Sequence, residues 1–391
     1  MRWLCFGLAV AASGKAADVA PPPMGWNSWN WHGKPAINEG VVRETIDAMV
    51  ATGLRDAGYR YVIVDGGWRA TRLAPNGELM AHAVKFPGGM KALADYAHER
   101  GLKLGVHTVP GTNDCGGDPV GGYGHEEVQV REFAAWGLDF IKLDKCRFSE
   151  GWTEDKVHEV YAHWAELLRH ADREMVFSIS AYTYRDWYPG TARMARTTAD
   201  IRARIHGGAV FDQGPTDTRG PLSVMAIADI NDRAAKFAGN GYWNDPDMMV
   251  TGGQGLTPDE ERAHFALWCV MTAPLMLGDD PRHLTPLERD ILLNRECLAV
   301  DQDTTEQGRR VRATNGVEVW VKRLAGDRAA VLLLNRDAHA AKEAELQPAD
   351  VPLKAPWRGR DLFRGEDLPA GAPVRATLPP HGAWFLLVTR G

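Results

Sequence analysis

The sequence predicts an α/β protein: a TIM (β/α)8 barrel followed by a C-terminal antiparallel β-sandwich. Three observations carry this prediction. Short apolar runs alternate with helical patterns up to about residue 295, and strand patterns alone follow after about residue 305. The 391 residues also suit a barrel of roughly 250 residues or somewhat more with one small added domain. We therefore divide the chain into a leader at 1–20, a catalytic barrel at 21–304 and a sandwich at 305–391.

The leader has the form of a short signal peptide. Arg2 supplies a single positive charge, and an apolar run of about ten residues follows it. The run is too short to span a bilayer, and no other stretch is long enough. We expect a secreted or periplasmic protein; an irregular N-terminal tail is the alternative. Loss of Cys5 with the leader would leave an even number of cysteines, of which Cys269 fits a buried thiol in an apolar helix.

The barrel prediction depends on short apolar strands separated by helices with a 3.6-residue apolar period. A helix start with a capping box is predicted at Thr257–Glu260. No Gly-rich turn of the GxGxxG or P-loop type is present, which disfavours a doubly wound open sheet. The clearest strands, followed by two weakly marked ones, are Tyr61–Asp65, Leu102–His107, Phe140–Asp144, Met175–Ser180, Thr197–Ile201 and Tyr242–Asn244.

The C-terminal region shows a different pattern. Strand-like runs at Val317–Lys322, Ala329–Leu334 and Ala383–Val388 are separated by turns rich in Gly, Pro and Asp. No long helical pattern lies between them, as is typical of an antiparallel sandwich.

Composition restricts the class of ligand. The formal net charge is −6, with 25% charged residues, and no basic stretch stands out. These values disfavour nucleic acid and anionic membranes as partners, so we expect a neutral ligand.

Acidic residues concentrate where the predicted barrel strands end, which is where TIM barrels carry catalytic groups. Single acids at such positions often only cap a helix, but a cluster of them favours glycoside hydrolysis, which needs two carboxylates in one cleft. Lys142 lies on the same strand face as Asp144 and would keep it ionised. The strand-end residues are Asp65, His107, Asp144, Asp200, Asp245 and Asp247.

Two roles are open for each of three residues: Arg196, His107 and Trp29. Arg196 either binds a sugar hydroxyl or pairs with an acid, and His107 either donates to the sugar or binds a neighbouring carboxylate. Trp29 lies near a strand end, where an indole ring can stack on a sugar, although most barrel tryptophans are core residues.

Five segments of the sequence form a recognisable set: Pro22–Trp29, Phe86–Tyr96, Gly101–Gly105, Trp136–Asp144 and Trp243–Met248. Together they resemble glycoside hydrolase family 27, the melibiase-type α-galactosidases. The resemblance implies a retaining mechanism with Asp144 as nucleophile and Asp200 as acid/base, on an oligosaccharide or polysaccharide side chain, with no metal or organic cofactor. It also implies substrate contacts by Trp29, Asp65, Lys142, Arg196 and Asp247, and a disulfide between Cys115 and Cys146, which both follow strand ends.

The departures from the family pattern cluster around the sugar. Asp65-Gly66-Gly67-Trp68 stands where the family has Asp-Asp-Cys-Trp, His107 replaces a tyrosine, and Ala195 replaces a tryptophan. The segment Ser178–Tyr182 lacks the family's Cys-Glu-Trp or Cys-Asn-Trp recognition sequence. A lost hydroxyl partner can shift specificity strongly. Galactose is the leading glycone, with β-L-arabinopyranosides and α-N-acetylgalactosaminides as alternatives.

Two other classes are open. Lys142 on an inner strand could serve a Schiff-base aldolase, but that lysine needs a lowered pKa and a neighbouring Asp144 would raise it. A carbohydrate-binding protein without turnover would not need both carboxylates.

Overall fold

The computed structural model describes residues 19–146, 151–213, 220–354, 356–369 and 373–391. The predicted leader lies outside the described residues except for its last two positions, and so does Cys5. Within the described ranges, no helix has both the length and the apolar character needed to cross a bilayer.

Eight parallel strands form the first sheet, and β1 pairs with both β2 and β8 while the others follow in chain order. Met249, just after β7, makes a parallel bridge to Leu277 of β8, and its N–H donates to the Met276 carbonyl at 2.8 Å. The sheet therefore closes on itself, and the predicted TIM barrel is confirmed over an open sheet. The strands are β1 Met24–Asn27, β2 Tyr61–Val64, β3 Lys103–Thr108, β4 Phe140–Asp144, β5 Val176–Ser180, β6 Met194–Arg196, β7 Trp243–Asp245 and β8 Leu275–Leu277.

The helices lie between and after the barrel strands. The longer ones bury one apolar face, except the helix from Pro258, which is buried on nearly every side. The helix from Pro258 begins as predicted, with a capping box in which Thr257 Oγ1 accepts from the Glu260 N–H. Cys269 in that helix is a buried free thiol, as predicted. The helices are α1 Trp29–Ala36, α2 Glu39–Ala51, α3 Leu54–Ala57, α4 Gly89–Glu99, α5 Glu126–Trp136, α6 Glu154–Arg169, α7 Tyr188–Thr191, α8 Val224–Arg233, α9 Pro258–Val270, α10 Pro286–Leu292 and α11 Arg295–Asp301.

The sixth strand is the one element that sequence reasoning misplaced. It runs over Met194–Arg196, not Thr197–Ile201, so Asp200 lies in the loop after the strand. Thr197 looks suitable for a strand because it is β-branched, but its hydroxyl donates to Asn231 Oδ1 at 2.8 Å. Such local side-chain bonds compete with a sheet ladder.

The C-terminal region forms a six-stranded antiparallel sheet and a two-stranded one, confirming the predicted β-sandwich. Side chains of β11 alternate between two cores: Leu332 and Leu334 pack on the barrel side, and Val331 and Leu333 pack inside the sandwich. The central sheet is therefore covered on both faces. The strands are β9 Arg309–Thr314, β10 Val317–Leu324, β11 Arg328–Asn335, β12 Lys342–Glu345, β13 Trp357–Asp361, β14 Glu366–Asp367, β15 Arg375–Leu378 and β16 Ala383–Arg390.

Candidate active site

A cavity of about 340 Å³ lies where the barrel strands end. Asp144, the last residue of β4, and Asp200, in the loop after β6, both line it. Five other predicted residues line the same cavity: Trp29, Asp65, His107, Lys142 and Cys115.

Asp144 is buried and held at both carboxylate oxygens. Its Oδ1 accepts from the Tyr182 hydroxyl at 2.5 Å and from the Cys146 N–H at 3.3 Å. Its Oδ2 accepts from the Ser180 hydroxyl at 3.4 Å and lies 3.6 Å from His107 Nε2. Burial alone would raise the pKa of Asp144, but His107, the charge of Lys142 and the Tyr182 hydroxyl lower it below its usual value. The carboxylate is therefore kept ionised.

Lys142 lies on the same side of β4 as Asp144, yet its direct partner is Asp65. The Lys142 ammonium donates to Asp65 Oδ2 at 2.7 Å, and Asn27 Nδ2 donates to the same oxygen at 3.0 Å. β2 therefore brings Asp65 into direct contact with the ammonium. Lys142 acts on Asp144 through its charge, in line with the prediction that it helps to keep Asp144 ionised.

The same ion pair bears on the aldolase alternative. Burial would lower the pKa of Lys142, but Asp65 and Asp144 raise it above its usual value. Burial would raise the pKa of Asp65, and the charges of Lys142 and His107 lower it. A lysine kept as ammonium is a poor nucleophile for a carbonyl, so this pair opposes Schiff-base chemistry.

His107 faces β4 from β3. Its Nε2 lies 3.6 Å from Asp144 Oδ2 and 3.9 Å from Cys115 Sγ, while its buried Nδ1 has no hydrogen-bond partner among the described residues. Of the two readings, the geometry favours the neighbour of a carboxylate. Cys115 and Cys146 form a disulfide, as the resemblance implies, and it ties the loop after β3 to the end of β4.

Arg196 bridges two carboxylates on the other side of the cavity. Its NH2 group donates to Asp200 Oδ1 at 3.2 Å and lies 2.9 Å from Asp247 Oδ2. The acid-pairing reading of Arg196 is the one seen in the structure. Burial would lower the pKa of Arg196, but Asp247 and Asp200 raise it above its usual value. The Asp200 side chain is 40% exposed, against 3% for Asp247.

Asp247 and Arg196 sit against a smaller void of about 20 Å³ inside the barrel, and neither is among the residues that line the large cavity. Burial raises the pKa of Asp247 to about 7, with Arg196 opposing and Asp200 adding to the shift. The Ile201 N–H donates to Asp247 Oδ2 at 2.7 Å, so Asp247 also anchors the loop that carries Asp200.

The loop after β2 explains two departures from the family pattern. Gly67 has a φ of 110°, and a Cβ there would lie 2.7 Å from the Lys34 carbonyl oxygen, so the family's cysteine does not fit this backbone. A Cβ at Gly66 would lie 3.3 Å from the Trp29 ring, so an aspartate there would require Trp29 to shift.

Sequence reasoning missed several cavity residues, among them Arg69 and Tyr182. Arg69 is buried, makes one hydrogen bond, to Thr108 Oγ1 at 3.1 Å, and has its pKa lowered to about 10 because burial outweighs nearby acids. The signal that could have found it is a charged residue four positions after Asp65. Tyr182 has a φ of 62°, which no sequence pattern marked.

Known proteins resemble this chain in both sequence and structure. The family profile described as "Alpha galactosidase A" matches residues 21–303, and "Alpha galactosidase C-terminal beta sandwich domain" matches residues 314–388. An α-galactosidase of Cyamopsis tetragonoloba is 40% identical, over 82% of this chain and 74% of the relative. Alpha-galactosidase A of Cellvibrio japonicus is 38% identical, over 93% and 91%. The crystal structure of α-galactosidase I from Mortierella vinacea has a TM-score of 0.88 and 27% identity, covering 97% of this chain and 99% of that one.

Proposed function

Because this chain belongs to the α-galactosidases of glycoside hydrolase family 27, we propose that it hydrolyses terminal α-D-galactosides by double displacement. Asp144 is the nucleophile and Asp200 the acid/base. The observation that carries this proposal is that both carboxylates line one cavity, where the Asp144 side chain is buried and the Asp200 side chain is exposed. Retaining hydrolysis needs one carboxylate ionised and one that exchanges a proton.

In the first step, ionised Asp144 attacks the anomeric carbon as the glycosidic bond breaks. Asp200, protonated, gives its proton to the leaving oxygen, and a covalent galactosyl ester on Asp144 results. The held position of Asp144 supports this role, since an ordered nucleophile loses little entropy on attack.

In the second step, Asp200 takes a proton from water, the water oxygen attacks the anomeric carbon, and the ester bond to Asp144 breaks. The product leaves with its original configuration and both carboxyl groups return to their starting states. The exposure of Asp200 supports this role, because an acid/base must meet both the aglycone and water.

We assign the other predicted residues by their contacts. Trp29 and Asp65 bind the glycone from the cavity wall, with Lys142 holding Asp65 ionised, while His107 lies beside the Asp144 carboxylate. Arg196 and Asp247 act beneath the wall by orienting the Asp200 loop. We propose this positioning role for Arg196 and Asp247 in place of the direct sugar contacts that the resemblance implies.

A panel of glycoside substrates would identify the glycone. Gly66 stands where the family has a second aspartate, and the guanidinium of Arg69 lines the same cavity, with no hydrogen-bond partner for its Nε among the described residues. These two features favour keeping β-L-arabinopyranosides and α-N-acetylgalactosaminides as second candidates. Aryl forms of these sugars, of α-galactose and of α-glucose should be compared by kcat/KM. We expect the α-galactoside to rank first. Sugar binding with no hydrolysis across the panel would instead identify a non-catalytic binding protein.

We also propose that the protein is exported, to the periplasm or outside the cell, and acts there on oligosaccharides or polysaccharide side chains. The Cys115–Cys146 disulfide supports this, because such bonds persist in oxidising compartments. Cell fractionation with a reductant-sensitive thiol assay would check it: a reduced protein found wholly in the cytoplasm would contradict it.

A further inference from the structure

Tyr182 is the residue whose geometry at the site has no role yet. It lies two residues after β5, lines the catalytic cavity, and its hydroxyl is 2.5 Å from Asp144 Oδ1. A hydrogen bond this short to a carboxylate is of the strong, charge-assisted kind. The contact is made on the carboxylate that the proposed mechanism uses as nucleophile.

The backbone at Tyr182 is unusual as well. Its φ of 62° lies in the left-handed region, which a bulky aromatic residue rarely adopts. Backbone conformations of this kind persist where the surrounding structure enforces them, and they cluster at functional sites. The left-handed turn follows β5 directly, so it decides where the Tyr182 ring goes.

We propose that Tyr182 is a positioning residue that stabilises the charged form of Asp144 and so favours release of the sugar from the covalent intermediate. This inference rests on the proposed function, and it goes beyond it by assigning separate effects on the two chemical steps. Tyr182 acts through Asp144, not on the sugar.

Toward the ionised Asp144 carboxylate, which has no proton to give, the phenol can only donate. Burial raises the pKa of Tyr182 far above its usual value, and the charges of Asp144 and Asp200 raise it further. The hydroxyl therefore keeps its proton throughout the working pH range and always presents it to Asp144.

The effect on the two steps follows from charge. Asp144 loses its negative charge when it attacks and regains it when the ester breaks. A donor to Asp144 stabilises the charge, so it opposes the first step slightly and assists the second. Other groups that act on Asp144 are His107 from β3, Lys142 from β4, Ser180 from β5, Tyr161 from α6 and the more distant charge of Arg69. Asp65 and Asp200 line the same cavity.

The test compares three variants of the full chain. Tyr182→Phe removes the strong donor at Oδ1, and Ser180→Ala removes the weaker one at Oδ2, 3.4 Å away. Tyr184→Phe is the control, because the Tyr184 hydroxyl has no hydrogen-bond partner among the described residues. Each is assayed with an aryl α-galactoside of good leaving group, for which release of the sugar limits kcat.

We expect Tyr182→Phe to lower kcat about tenfold while kcat/KM on its plateau changes by no more than about twofold. The acid limb of kcat/KM should move up by about one pH unit, because Asp144 loses a group that lowers its pKa. A pre-steady-state burst of the phenol product should become larger. Ser180→Ala should shift the same limb less, and Tyr184→Phe not at all.

An acid limb that stays in place in Tyr182→Phe, or equal losses in kcat and kcat/KM, would overturn the proposal. If Tyr182→Phe does not fold, Ser180→Ala carries the test, and an unmoved limb there counts against it. An unmodified protein that hydrolyses no glycoside would instead refute the proposed function, so the two failures are distinguishable.

Discussion

The two sides of the catalytic cavity hold their carboxylates very differently. Asp144 is 9% exposed and receives hydrogen bonds from three groups, with His107 close by. Asp200 is 40% exposed, and Arg196 is its one side-chain partner among the described residues. The lesson is that environment separates two identical side chains into a fixed, ionised group and a group open to water.

The backbone contributes to this difference. β4 ends at Asp144, so a closed sheet holds the nucleophile, whereas Asp200 stands four residues beyond the end of β6. The Asp200 loop is anchored instead by Asp247, which accepts from the Ile201 N–H at 2.7 Å. A carboxylate on a loop can adjust to aglycones of different size; one at a strand end cannot.

The largest effect is expected from replacing Asp144, the buried carboxylate. Asp144→Asn should lower kcat by roughly 10⁴-fold or more, because no other group can form the covalent bond. The thermal midpoint should change little. Asp144→Gly with added azide should yield the inverted β-galactosyl azide. An Asn variant with near-normal turnover would show that the nucleophile lies elsewhere.

The second largest effect is expected from replacing Asp200, the exposed carboxylate. Asp200→Ala should cost roughly 10²–10⁴-fold on substrates with poor leaving groups and much less on activated aryl glycosides, which need no protonation. Azide should restore turnover and yield the α-azide, with configuration retained. Equal losses on both substrate types would argue against an acid/base role for Asp200.

The third effect tests the charges that support Asp144. Lys142→Met leaves Asp65 as a buried, unpaired carboxylate and should lower the free energy of unfolding by about 3–5 kcal/mol in denaturant. The acid limb of kcat/KM should also move to higher pH, since Lys142 lowers the pKa of Asp144. Lys156→Met, in an exposed pair with Glu159, is the control and should change neither. A variant at Lys142 with unchanged stability would contradict the pairing with Asp65.

The smallest effect concerns Asp247, beneath Asp200. Its pKa is about 7 in the folded protein and about 3.9 in the unfolded chain. Between those values the unfolded state has lost the proton and the folded state keeps it, so this group makes stability fall as pH rises from about 4 to 7. Asp247→Asn should reduce that slope in thermal midpoints measured across the range. Exposed Asp95→Asn is the control, and an unchanged slope at Asp247 would contradict the assignment.

The sequence predicted much of the cavity side that carries Asp144 and less of the side that carries Asp200. β4 is found at Phe140–Asp144, residue for residue, because a short apolar run ending in an acid is a clear local signal. The partner of Lys142 was missed because Asp65 lies 77 positions away and only the closed sheet brings them together. The role of Tyr182 was missed because its φ is set by tertiary structure.

β6 was misplaced for a related reason. It has three residues, Met194–Arg196, too few to show an alternating pattern, and the threonines that follow resemble a strand more closely. Short strands inside a closed barrel are stabilised by their neighbours, so their limits are decided by pairing with β5 and β7 and not by local propensity.

The most direct test of the account is to identify the carboxylate that bears the sugar. A 5-fluoro galactosyl fluoride should trap the covalent intermediate, and mass spectrometry of a digest locates the label. We predict a single galactosyl ester on Asp144, formed in the unmodified protein and absent from Asp144→Asn. A label on Asp200, or hydrolysis of the reagent with inverted configuration and no label, would contradict the assignment of the two sides.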